Sequence, residues 1–158
     1  MKSALLIIGL LSATSAFSVE KLYLDRLLDT HICHHCNLSD ADLQGQDFSG
    51  ADMSEALLKG INLSDAKLVG AWFTRSRVQG ANFENADLST ALMDYANFTG
   101  ANFQGANLNG AKLNFADLTD ANLTGATLVD TVTRGVNFCN TTMPDGKINN
   151  DNCPTPQK

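Results

Sequence analysis

Residues 81–110 read ANFENADLSTALMDYANFTGANFQGANLNG, a run of five-residue units in which Ala is followed two places on by Phe, Leu or Met. The pairs are Ala81 and Phe83, Ala86 and Leu88, Ala91 and Met93, Ala96 and Phe98, Ala101 and Phe103, and Ala106 and Leu108. A period of five matches neither the helical repeat of about 3.6 residues nor the strand repeat of about 2, so neither element could put these side chains on one face. The chain must therefore turn at every unit. If each unit forms one side of a square coil, the large central residue and the small one before it both point inward. Four units then complete a turn, and stacked coils exchange backbone hydrogen bonds at a spacing of ~4.8 Å.

Outward from this stretch the register holds without insertion from Cys36 to Asn140. Central residues run from Leu38 and Leu43 to Leu128 and Phe138, and only Thr133 departs from the apolar series. The small residue two places earlier is Ala in 15 of 21 units, which leaves room inside the coil for the large neighbour. The motif A(D/N)LXX, seen in Ala41-Asp42-Leu43-Gln44-Gly45 and Ala106-Asn107-Leu108-Asn109-Gly110, resembles that of the pentapeptide-repeat family. The resemblance covers about two-thirds of the chain and implies an all-β protein, a right-handed quadrilateral β-helix. About five coils at ~4.8 Å make a rod roughly 25 Å long.

The flanks divide the rest. Lys2, the apolar run Ala4 to Leu11, and the small residues Thr14, Ala16 and Ser18 have the order of an export signal over residues 1–18, cleaved after Ala16 or Ser18. Its apolar core is too short for a stable span, so the expectation is a periplasmic or extracellular protein with no membrane anchor after cleavage. Residues 19–35 carry Leu24, Leu27 and Leu28 at helical spacing, read as a short capping helix over the open first coil. The β-helix then occupies 36–143 and a C-terminal tail 144–158, where Pro144 lacks the donor a further coil would need.

Four cysteines, Cys33, Cys36, Cys139 and Cys153, flank the repeats, and in an exported chain their pairing at each end predicts two local disulfides. His31, Cys33, His34, His35 and Cys36 have the donor atoms for zinc or copper. So short a cluster lacks the second ligand pair of a closed structural site, and an oxidising compartment favours the disulfide, so no metal and no cofactor is assigned.

Sorting residues twenty apart gives four outer faces, three of them mainly Asn, Asp, Ser, Thr, Gln and Gly. The fourth presents Trp72, Leu92 and Val132 in one column and Glu55, Arg75, Tyr95 and Phe115 in the next. Glu55 is expected to pair with Arg75, Arg75 to lie over Tyr95, and Tyr95 to stack on Phe115. Trp72, Arg75, Leu92, Tyr95, Phe115 and Val132 thus form the candidate surface for a protein partner or a second copy of the chain. No catalytic set emerges, since all three histidines precede the repeats, and the reading is a non-enzymatic exported scaffold. A net charge of −6 argues against nucleic-acid binding. Two alternatives stand beside it. The resemblance implies that a DNA-mimic binding a type II topoisomerase is possible in this family, and the N-terminal CxxC pair suggests a metal or thiol-redox role.

Overall fold

The computed structural model describes residues 17–153, so residues 1–16 of the expected export signal and residues 154–158 of the tail lie outside the described residues. One helix, α1 (Phe17–Thr30), precedes a continuous four-sided coil. Leu27 of α1 is fully buried and joins the core of the coil, with Tyr23 and Leu24 packed against it. Leu28, expected on the same face, is 45% exposed: it follows Leu27 directly and so points about 100° away around the helix.

Parallel bridges link each residue to the one twenty further on, from Ile32 with Asp52 to Asn122 with Thr142. Four units therefore make one coil. Each side contributes a single bridging residue, because a turn follows at once, so the sheets consist of isolated bridges rather than long strands. The coil begins at His31, one unit earlier than the sequence boundary at Cys36. Ile32 pairs with Asp52, and Cys33 and Cys36 fill the inward sites that Leu and Ala occupy elsewhere.

The unit 81–85 shows why five residues suffice. The Ala81 N–H closes a β-turn onto the Val78 carbonyl at 3.3 Å. Asn82 donates to Ile61 of the coil before (2.9 Å), while Phe83 and Asn85 donate to Asn102 and Gln104 of the coil after, at 2.7 and 2.9 Å. That leaves the Glu84 N–H, inside the turn and out of reach of either neighbour. It donates to Oδ1 of Asn82 at 3.1 Å. Where Asn or Asp precedes the central residue, it thus supplies the one acceptor that the stacked backbone does not, which is the usual role of these side chains in turns. The same contact recurs from Asn37 with Ser39 through Asp87 with Ser89 to Asn137 with Cys139. At Asp47 the Ser49 hydroxyl and N–H both donate to the carboxylate, and these bonds hold its pKa below the ordinary range.

These side chains also join one another. Nδ2 of Asn62, Asn82, Asn102 and Asn122 donates to Oδ1 of Asp42, Asn62, Asn82 and Asn102 at 2.8, 3.4, 3.1 and 3.3 Å, a ladder along one face. Inside, Phe83 stacks flat on Phe103 with centroids 4.9 Å apart, and Phe73 and Phe98 meet Phe83 edge-on. Where the small inward residue is polar, its hydroxyl finds a carbonyl: Ser76 that of Phe73 at 2.6 Å, Thr141 that of Leu118 at 2.6 Å.

At the far end the chain doubles back. β1 (Thr141–Thr142) pairs antiparallel with β2 (Ile148–Asn149), and the returning segment supplies acceptors that a further coil would have held. The Phe138 N–H donates to the Asp151 carbonyl and the Asn140 N–H to Oδ1 of Asn150, both at 3.0 Å. The disulfide Cys139–Cys153 ties this segment to the last coil.

Replacing Asn102 by Ala removes the acceptor for both the Gln104 N–H and Asn122, and should lower unfolding free energy by ~1–2 kcal/mol. Gln104→Ala, on the exposed surface beside it, should stay within ~0.5 kcal/mol. Urea denaturation of the two variants compares them; equal losses would mean that the side-chain ladder contributes nothing.

Candidate functional site

The face singled out by sequence is assembled by two adjacent columns. Bridges run from Ile32 through Asp52, Trp72, Leu92 and Lys112 to Val132. Trp72 and Val132 are 49% and 42% exposed, and Leu92 is half-buried. Lys112, absent from the sequence reading of this column, sits between Leu92 and Val132 and makes the surface cationic as well as apolar.

The second column occupies the turn corners. Every unit has positive φ at its last residue, with φ negative at the residue before, the type II pattern that favours Gly, Asn or Asp. On the other three faces these corners are Gly, Asp or Asn, with Thr90 the one exception among the described residues. On this face they are His35, Glu55, Arg75, Tyr95 and Phe115, at φ between 56° and 59°. A large side chain in this left-handed region costs roughly 1 kcal/mol relative to Gly. Five in succession, confined to one face, are not explained by the turn.

Contacts along the column recover part of that cost. The Arg75 guanidinium lies 5.7 Å from the Tyr95 ring centroid, and Tyr95 stacks on Phe115 with centroids 5.2 Å apart and planes at 16°. Such contacts contribute ~0.5–1 kcal/mol each. The expected Glu55–Arg75 pair does not form. Arg75 turns up the column to Tyr95, while Glu55 turns the other way, its Oε2 3.5 Å from Nδ1 of His35. Two residues besides Lys112 escaped sequence reasoning. Arg134 places its guanidinium 5.9 Å from the other end of the ladder, over Phe115. Gly135 provides the space, since a Cβ there would lie 2.7 Å from Cδ1 of Phe115. Its place twenty residues after Phe115 was the available signal.

The cysteines pair as expected, Cys33 with Cys36 and Cys139 with Cys153, leaving no free thiol. Cys33 and Cys36 are fully buried within the first coil. His31 stands apart from the other two histidines, edge-on to Phe48 with centroids 6.2 Å apart. Concavities at the C-terminal hairpin, around Met143, Lys147 and Ile148, and on the neighbouring face, around Leu57, Lys59 and Arg77, hold neither an imidazole nor a thiol.

The ladder makes a coupled prediction. Gly135→Ala should destabilise by about 1–2 kcal/mol, from its positive φ and the clash with Phe115. In a Phe115→Ala background the same change should cost measurably less, because only the backbone part remains. Thermal or urea unfolding of the four chains in this cycle gives the coupling, and strict additivity would rule out the contact.

With this geometry in place, the chain can be set beside known proteins. A family model described as pentapeptide repeats matches in eight copies over residues 36–77, 72–110 and 116–147. Among curated proteins none matches this chain. The pentapeptide repeat protein Rfr23 from the cyanobacterium Cyanothece 51142 is 29% identical, with 73% of this chain and 92% of that one covered at a TM-score of 0.72. A pentapeptide repeat protein of the Arabidopsis thaliana thylakoid lumen is 32% identical over 68% of this chain and 71% of that one, at a TM-score of 0.53. QnrB1, a plasmid-mediated fluoroquinolone resistance protein, shares 18% identity over 66% of this chain and 75% of that one at 0.41, too distant for argument. The unbroken five-residue register, its stacking at twenty residues and these likenesses establish that the chain belongs to the pentapeptide-repeat family and folds as that family's right-handed β-helical solenoid.

Proposed function

We propose that this protein is an exported, non-enzymatic interaction module that binds another protein through the face bearing Trp72, Arg75, Leu92, Tyr95, Phe115 and Val132. The observation that carries this reading is the column of large residues held at left-handed corners, where the other faces use Gly, Asp or Asn. Backbone strain retained on one surface, together with an exposed Trp and two exposed, stacked aromatic rings, matches the composition of binding hot spots. Arg75, Lys112 and Arg134 collect here in a chain of net charge −6, so the partner it suits is apolar at the centre and acidic at the rim. The same cations weigh against a DNA mimic directed at a topoisomerase, which needs an acidic surface. The burial of Cys33 and Cys36 weighs against thiol exchange, which needs an accessible sulfur.

Helix α1 serves as the N-terminal cap of the solenoid in this proposal, with Leu27 closing the first coil and the disulfides stapling both ends. A capped stack is what an isolated extracytoplasmic solenoid requires, since an open first coil would offer unpaired backbone to another chain. Residues 1–18 act as the signal and the mature chain begins at Phe17 or Val19.

A Trp72→Ser, Tyr95→Ser double variant should fold normally by circular dichroism yet lose the protein that co-purifies with the wild-type chain from its native compartment. Arg75→Glu should weaken the same complex, more so at low salt. A partner retained by both variants would sink the proposal, and loss of a dimer instead would make the partner a second copy. N-terminal sequencing of the secreted chain should start at Phe17 or Val19; an intact Met1 on the mature protein would remove the export assignment.

A further inference from the structure

We propose that His34, His35 and Glu55 form a binding site for a divalent transition-metal cation of the zinc or copper type, at the junction of the first and second coils. Each offers one ligand atom, and these three atoms lie within 4.8 Å of one another. The two imidazoles meet edge-to-face with centroids 3.9 Å apart, and Nδ1 of His35 is 3.5 Å from Oε2 of Glu55. Binding would draw these donors in by side-chain rotation, His35 and Glu55 being exposed and His34 partly so, to the ~2.0–2.1 Å that zinc takes with imidazole nitrogen and carboxylate oxygen.

The turn carrying the histidines is built to hold them. His34 and His35 are its two corner residues, and the disulfide between Cys33 and Cys36 closes it from inside, reinforced by a 3.1 Å hydrogen bond from the Cys36 N–H to the Cys33 carbonyl. Both cysteines are buried, and the Cys33 and His35 N–H groups donate to Asp52 and Ser54 of the coil that carries Glu55. The backbone that carries the ligands is thus ordered during folding, and only side-chain rotamers remain to be fixed at metal binding. His35 and Glu55 also both occupy left-handed corners, at φ 57° and 56°. An exposed imidazole–carboxylate contact is too weak to offset two strained residues by itself, whereas a shared cation would. Because the cysteines are engaged in their own bond, the donor set is two nitrogens and one oxygen. That set suits borderline cations and leaves a coordination position for water or an outside ligand. His31, turned onto Phe48, is outside the site.

The oxidised, full mature chain should bind one Zn2+ per molecule in isothermal titration calorimetry with zinc chloride, and one Cu2+ more tightly, following the usual order of affinities. Zinc should also raise its melting temperature. His35→Asn and Glu55→Gln should each weaken binding by about tenfold or more and abolish the melting shift, while His31→Ala should change neither. Asn tolerates the left-handed corner and Gln keeps the shape of Glu, so both variants should retain the wild-type circular dichroism. Absence of saturable binding would overturn the proposal. So would binding that survives in the His34→Ala, His35→Asn double variant, or that is lost equally in His31→Ala.

Discussion

The structure depends on a donor in each turn that no backbone carbonyl of a neighbouring coil meets. A chain that turns every five residues buries most of its peptide groups against the coils on either side, and a buried N–H without an acceptor is costly. In a unit such as 81–85 stacking satisfies three of the five donors, the β-turn onto Val78 a fourth, and the fifth is met by Oδ1 of Asn82. In such units the Asn or Asp before the central residue is therefore as much a part of the backbone network as a carbonyl. Tight turns, single-residue bridges and an interior only wide enough for alternating Ala and Leu or Phe all follow from that arrangement.

A solenoid satisfied by its neighbours is exposed at its ends, and this chain treats the two ends differently. At the N-terminus Cys33 and Cys36 replace the inward Leu and Ala, so the disulfide lies inside the first coil, in the same buried cluster as Leu27 of α1. At the C-terminus the chain folds back as a hairpin, and Asp151 and Asn150 stand in for the missing coil above Phe138 and Asn140. Apolar burial dominates at the first end and hydrogen bonds at the other. Closing both with covalent staples limits the fraying to which terminal repeats are most subject.

The faces are unequal for a related reason. Apart from Thr90, three of them use residues that the left-handed corner tolerates, and their Asn and Asp side chains make the ladder and turn contacts that hold the coil together. On the fourth, Trp72, Leu92, Lys112 and Val132 cannot supply the Asx acceptor, and the corners carry His35 through Phe115 against their backbone preference. Local stability is given up along one strip and only partly regained by stacking. Both the proposed protein surface and the proposed cation site lie on that strip, at different heights.

Sequence alone determined the period, the inward Leu and Phe residues and the stacking of Tyr95 on Phe115, because each is a consequence of spacing in a register without insertions, while the two local disulfides were expected only from two cysteines at each end and paired by the structure. It could not place the start of the coil, since Cys33 and Cys36 fill inward sites without resembling the motif, nor show that Leu28 faces outward. Tertiary structure decided the choices between partners of similar reach. Glu55 has a basic side chain twenty residues to either side, Arg75 and His35, and only the packed side chains show that Arg75 leaves it for Tyr95 while His35 remains. Likewise Gly135 reads as an ordinary turn glycine until the Phe115 ring is found lying over it. Periodicity sets which residues are neighbours, being a property of the backbone; which neighbours touch is set by rotamers that compete for the same space.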